Sequence, residues 1–315
     1  MEYTKLGNTG LEVSRICFGT LTIGPLQANL DIQSGAEIIV RAIERGINFF
    51  DTAQLYKTYK YLKTAMKASG KHDLIISTKT YAYSAKQAIA AVEEARRELD
   101  RDIIDIFMLH EQESIHTMRG HKEALDVLYK YKAKGVIKAV GASMHHIAAV
   151  EGADKFAMDV IHPILNLEGL GIVDGNRRNM ERAIAAAAGS GIGVFSMKPL
   201  GGGNLFGKAA ECLKYAFSQK YVHSVAIGMQ TAAEVDANCN FYENDEFCNE
   251  EKKLLTSQPR KIHIESWCSG CSECVRRCPH KALTIKNNRA FAHHAKCVLC
   301  GYCAPVCGQW AIKIV

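Results

Sequence analysis

Eight times between residues 16 and 228, a short apolar run gives way to a longer amphipathic stretch. The apolar runs read as strands: Ile16–Gly19, Asn48–Asp51, Leu74–Lys79, Ile104–Leu109, Ile137–Ser143, Val160–His162, Gly193–Lys198 and Ser224–Gly228. Helical stretches lie between them, among them Ala36–Arg45, Ala85–Leu99, Lys122–Lys134, Met180–Ala188 and Thr231–Asn238. Gly46, Gly135 and Gly189 stand where such helices would end. Eight strand–helix units predict an α/β chain closed into a (β/α)8 TIM barrel rather than an open doubly wound sheet. No G-x-G-x-x-G follows an early strand, which argues against a Rossmann cofactor site.

A second pattern follows the first. Cys268, Cys271, Cys274 and Cys278 recur 29 residues later as Cys297, Cys300, Cys303 and Cys307, each copy reading C-x2-C-x2-C-x3-C. Three thiolates two residues apart can wrap one face of a compact iron–sulfur cluster, and a distant fourth closes it. Tetrahedral zinc usually takes two separated cysteine pairs, without a third cysteine in step. The two copies differ at one place, Pro279 after Cys278 but Gly308 after Cys307. The other cysteines, Cys17, Cys212, Cys239 and Cys248, have no ligand-like spacing, and Cys17 reads as a small buried hydrophobe.

At 315 residues and 48% hydrophobic content there is room for one large domain and a small one. The expected plan is a barrel over 1–245, a charged linker with one short helix over 246–262, and a cysteine-rich α+β domain over 263–315. No apolar stretch is long enough for a membrane span, the N-terminal residues lack a signal-peptide core, and many free cysteines suit a reducing cytoplasm. The net charge of +6 is scattered, so nucleic acid is not an expected partner. Seven Lys/Arg against two Asp/Glu in 263–315 would mostly offset the negative charge of two thiolate-ligated clusters.

Barrel active sites gather at the C-terminal ends of strands. Three successive candidate strands here end in Asp51, Lys79 and His110, with Tyr56 five residues past Asp51. Singly, these residues read as a helix cap, a surface cation, a buried histidine and a half-buried aromatic. Together they form a proton-transfer device. Tyr56 would be the acid, its pKa lowered by the Lys79 ammonium; Asp51 would keep Lys79 charged, and His110 would align a substrate carbonyl oxygen.

The text YTKLGNTGLEVSRICFGT, GINFFDTAQLY, ISTK, DIIDIFMLH, GASMHH and MKPLGGG resembles the aldo-keto reductase family over nearly all of residues 1–245. The resemblance implies a catalytic tetrad of Asp51, Tyr56, Lys79 and His110, a small carbonyl or alcohol substrate, and NADPH or NADH. The implied cofactor contacts are Ser143, His162, Met197, Lys198, Pro199, Leu200, Gly201, Gly203, Gly228 and Asn238. Several depart from the family pattern. Met144 replaces an Asn, His162 a Gln and Met197 a stacking aromatic, while Glu234 stands roughly where an Arg would meet the NADP 2′-phosphate. Gly201–Gly203 would suit close backbone approach to a phosphate. His145 and His146 would line the substrate pocket, and His293 and His294 would sit on the surface.

Residues 263–315 resemble a bacterial two-cluster ferredoxin, which implies two [4Fe–4S] clusters with crossed ligation. Cys268, Cys271, Cys274 and Cys307 would hold one, and Cys297, Cys300, Cys303 and Cys278 the other. The whole resembles the aldo-keto reductases with a fused C-terminal 4Fe–4S domain. A hydride moves two electrons and each cluster moves one, and no flavin motif bridges them, although flavin is not excluded. The clusters would feed electrons to the barrel mouth, relay to a redox partner protein, or hold the small domain together. The alternative to a carbonyl reductase is an iron–sulfur electron-transfer protein whose barrel binds another ligand or docks that partner.

Overall fold

The computed structural model describes residues 1–257, 260–297, 299 and 301–315. An antiparallel hairpin, β1 (Tyr3–Lys5) and β2 (Glu12–Ser14), comes first. Eight parallel strands follow: β3 (Ile16–Gly19), β4 (Phe49–Asp51), β5 (Ile75–Thr80), β6 (Ile104–Gln112), β7 (Ile137–Met144), β8 (Val160–Pro163), β9 (Gly193–Met197) and β10 (Ser224–Gly228). Each pairs with the next, and β10 pairs with β3 to close the barrel. Helices α1 (Ile32–Glu44), α2 (Tyr59–Ser69), α3 (Ala85–Leu99), α4 (Ile115–Gly120), α5 (Lys122–Ala133), α6 (Ile147–Glu151), α7 (Arg177–Gly189), α8 (Ala209–Ser218) and α9 (Ala232–Asn244) follow the strands, as a (β/α)8 barrel requires.

All eight expected strands are present. Helix α3 has the expected bounds, α5 ends one residue early and α9 runs on to Asn244, whereas α1 and α7 begin three or four residues before their apolar periodicity, because their first turns are set by caps. Asp31 accepts Ser34 N–H to start α1, and Asn176 accepts Asn179 N–H to start α7. Gly46 and Gly135 adopt positive φ just beyond α1 and α5, but α7 runs through Gly189 and the left-handed residue is Gly191. The short hairpin was not anticipated. It places Leu6, Leu11 and Val13 against Cys17, Phe49, Ile106, Val160 and Phe195, plugging the barrel interior at the end opposite the strands' C-termini. Cys17 is buried in that interior, as expected.

After α9 come α10 (Asn249–Ser257), β11 (Ile262–Ile264), α11 (Glu273–Arg277), the hairpin β12 (Leu283–Lys286) and β13 (Arg289–Ala292), and β14 (Ile312–Ile314). Asn287 and Asn288 both take positive φ, as a two-residue hairpin turn demands. β14 pairs antiparallel with β11 across 50 residues, Ile262 opposite Ile314. A separate small core of Ile262, Ile264, Cys274, Leu283, Ala290, Ala292 and Ile312 holds this α+β module.

Its last residues close onto the barrel. Ile314 N–H donates to Gly202 O at 3.0 Å, Asn204 Nδ2 donates to Ile312 O at 3.2 Å, and Trp310 is buried as part of the barrel's own core. A Cβ at Gly203, at φ +84°, would overlap the Ile314 carbonyl oxygen, so only glycine admits this strand so close. The glycine run thus meets the chain's own last strand, a partner the sequence did not suggest.

Candidate active site and cluster cavities

Strand alternation explains why polar residues gather at the barrel mouth. Phe49, Ile75, Met108, Val160 and Phe195 fill the interior. Two or four residues further along the same strands, on the same face, stand Asp51, Lys79, His110, His162 and Met197. The interior is apolar below and ionisable at the top.

Lys79 is 1% exposed and donates to Asp51 Oδ2 at 2.6 Å and to Thr52 O at 2.8 Å. Asp51 therefore holds the ammonium instead of capping a helix. Thr20 donates to Asp51 O at 3.0 Å, and its hydroxyl and that of Thr52 each lie 2.7 Å from Thr58 Oγ1, which pins the loop that carries Tyr56. The Lys79 ammonium lies 4.9 Å from the Tyr56 ring centre, and the Tyr56 and His110 rings meet edge-on at 5.6 Å. Asp51, Tyr56, Lys79 and His110 are thus brought together.

The expected lowering of the Tyr56 pKa is not what the site does. Burial, and then the Asp51 carboxylate, hold the phenol well above its ordinary 10. Lys79 does not reverse this, because its charge is already matched by Asp51. Burial also keeps His110 uncharged well below 6.5, aided by Lys79 and Lys198.

His162 is pushed down to about 4, by burial first and against the pull of Asp51. Its Nδ1 lies 2.7 Å from Phe195 O, its ring stacks on Phe195, and its Nε2 lies 3.7 Å from Asp51 Oδ2. Tyr81, stacked on His110 at 4.4 Å, was missed, although its position two residues beyond Lys79 could have signalled it.

From Asp51 and Tyr56 a groove runs past His162, Met197–Leu200, Gly202 and Gly203 to Gly228, Glu234 and Asn238 on α9. Most of the expected cofactor residues line it. Ser143 instead accepts Glu111 N–H at 2.8 Å, and Gly201 lies just behind the lining, its carbonyl accepting from Asn204. Glu234 does not stand as a bare carboxylate: it accepts from Arg260 Nη2 at 3.2 Å and from Gln230 N–H at 2.7 Å. The Arg260 guanidinium lies 3.4 Å over the Phe206 ring centre and lines the same groove, so the negative charge that Glu234 brings there is offset. A long groove with proton-transfer groups at one end, Asn238 at the other and cations between fits a nicotinamide dinucleotide. His145 reaches the mouth through Lys198, whose ammonium donates to His145 Nε2 at 2.9 Å. His294 is exposed and His293 half-buried.

The module holds two cysteine-lined cavities. Cys268, Cys271, Cys274 and Cys307 line one. Cys278, Cys297 and Cys303 line the other; Cys300 lies outside the described residues. The sets mix the two sequence copies in the crossed manner. Backbone N–H groups of Ala290, Ala311 and Ala282 point at Cys268, Cys307 and Cys278 sulfurs at 3.4, 3.2 and 3.3 Å, as suits thiolates. Burial and the neighbouring Cys307, Cys268 and Cys271 push Cys274 up to about 11, a crowding that a cationic iron core would relieve. The first cavity has the four thiols that an iron–sulfur cluster takes, and the second shows three of them among the described residues.

The sequence profile described as Aldo/keto reductase family matches residues 15–211, more than half the chain. The chain belongs to the aldo/keto reductase family. This aldo/keto reductase also carries a 4Fe-4S binding domain matched over residues 261–284, a span that includes the first cysteine copy. It is 30% identical over 184 residues to an aldo-keto reductase of Bacillus subtilis, YhdN, a match covering 53% of this chain and 54% of that one. It is 24% identical over 280 residues to the L-galactose dehydrogenase of Arabidopsis thaliana, covering 76% and 87%. A Bacillus halodurans aldo-keto reductase solved in its holo form superposes with TM-score 0.64 at 21% identity, covering 81% and 95%, and shares the barrel fold. The protein is an oxidoreductase enzyme.

Proposed function

We propose that this aldo/keto reductase reduces a small carbonyl to an alcohol, or runs the reverse oxidation, with NADPH or NADH and with Tyr56 as general acid. The observation that carries the reading is the meeting of Asp51, Lys79, Tyr56 and His110 at one end of a groove that continues to Asn238. When bound, the nicotinamide supplies a hydride to the carbonyl carbon.

The chain's own residues manage the proton. Neutral His110 donates a ring N–H to the carbonyl oxygen. The buried Tyr56 phenol stays protonated in the resting site and gives its proton to that oxygen as charge develops there. The Lys79 ammonium over the ring then stabilises the phenolate left behind, while Asp51 holds Lys79 in place.

We further propose the domain plan 1–245, 246–262 and 263–315, two [4Fe–4S] clusters on the crossed cysteine sets with Cys300 as the fourth ligand of the second, and a cytoplasmic setting. When bound, each cluster carries one electron at a time. An electron-relaying role, to the mouth or to a redox partner protein, is supported by Trp310. It follows Cys307 by three residues and is buried against the barrel. Anaerobic purification with identification of every bound small molecule tests whether a flavin bridges the two regimes.

The test of the acid is Tyr56→Phe. Carbonyl reduction should fall by about 10²- to 10⁴-fold with iron content unchanged. A variant that keeps most of its turnover would remove Tyr56 from the role.

A further inference from the structure

Lys313 is the middle residue of β14, yet its side chain is 4% exposed. Its stem lies against Gly202, where a Cβ would come within 2.9 Å of Cδ. Its ammonium donates to Trp310 O and sits 4.2 Å from the Trp310 ring centre. Lys198 approaches the same indole from the barrel side, at 5.8 Å. Both line the groove that holds Asp51, Tyr56 and His162.

Among the described residues neither ammonium has a carboxylate at salt-bridge distance; their close partners are His145 Nε2 and Trp310 O. The carboxylates that bear on them from farther off are otherwise engaged, Glu111 by Tyr81 at 2.5 Å and Glu265 by His263 at 3.3 Å. Burial first pushes Lys198 down to about 8 and Lys313 well below its ordinary value, with Lys79 acting against Lys198 and Lys198 against Lys313. Two enclosed amines with no carboxylate at ion-pair distance are pushed toward their neutral forms, and an oxyanion held by both would favour the charged ones.

We propose that Lys198 and Lys313 form a seat for an oxyanion, one half supplied by the barrel and the other by the iron–sulfur module. Its ligand is a phosphate or carboxylate group, either the diphosphate of the dinucleotide or the acid group of a carbonyl substrate. The iron–sulfur module is on this view a wall of the active site. The seat rests on the proposed reductase reading for the identity of its occupant.

The test is calorimetric titration of the cluster-loaded protein with pyrophosphate, oxalate and NADPH as separate probes. Wild type should bind pyrophosphate or oxalate. Lys313→Met should weaken that binding tenfold or more at unchanged iron content, and Lys313→Arg should restore it to within about threefold. NADPH weakening in step with pyrophosphate assigns the seat to the cofactor, and loss of oxalate alone assigns it to a substrate acid. Either supports the proposal. Wild type binding neither anion overturns it, as does Lys313→Met binding them like wild type. Equal weakening in Lys286→Met, on the exposed hairpin, also overturns it. If Lys313→Met loses iron, Lys198→Met takes its place, and unchanged anion affinity there overturns the proposal. Binding of an anion probe without any binding of NADPH or NADH would keep the seat and remove the nicotinamide reading.

Discussion

Burial favours the uncharged forms of Tyr56, His110, His145 and His162, whereas Lys79 has a carboxylate partner, Asp51, at 2.6 Å. That contrast has a pH consequence. A histidine neutral in the fold but free to protonate when unfolded makes the unfolded chain take up more protons between the two pKa values. For His162 the window runs from about 6.5 down to about 4. Stability should be greatest above it and fall as pH drops through it, by up to about 1.4 kcal/mol per pH unit for this residue. Urea unfolding at pH 7 and pH 4.5 checks this: His162→Gln should lose less stability on acidification than wild type. Equal losses would count against His162 as a source.

At the scale of elements, β14 and the loop after β9 depend on each other. Gly203→Ala puts a methyl group onto the Ile314 carbonyl at φ +84°, with strain of roughly 1–3 kcal/mol. The expected result is faster hydrogen exchange across residues 311–315 with barrel exchange unchanged, read by mass spectrometry. Unchanged protection there would mean that the strand is seated by other contacts. This contact also marks where the sequence stopped being legible. The eight barrel strands could be read because each is an apolar run buried on both faces, and the mouth residues because they end those runs. The hairpin β1–β2 escaped notice because three-residue strands carry no period. The docking of Ile314 on Gly202 joins positions 112 residues apart, and nothing local to either announces it. Lys313 and Arg260 were passed over because lysine and arginine are ordinarily surface residues, and only the fold shows that both face the groove.

For the whole molecule, the barrel mouth and the iron–sulfur module share a seam, and the two tryptophans report on it separately. Trp310 is 6% exposed in the seam, while Trp267 is 49% exposed on the module. Removing iron should unfold the module, release Trp310 to water and shift the emission maximum to longer wavelength, while far-ultraviolet circular dichroism keeps the barrel's signal. An emission maximum that stays in place after complete iron loss would show that the seam holds without metal.

The crossed cysteine cavities also set an order of events during synthesis. Because Cys307 lines the cavity begun by Cys268, and Cys303 the one begun by Cys278, neither cavity can close before those residues have left the ribosome. The barrel, complete at β10, has by then had some 80 residues of translation in which to fold with its mouth open. Only afterwards can β14 be drawn over that opening. Iron supply in the cell would then govern this late step, and a starved cell would accumulate folded barrels without the module seated on them.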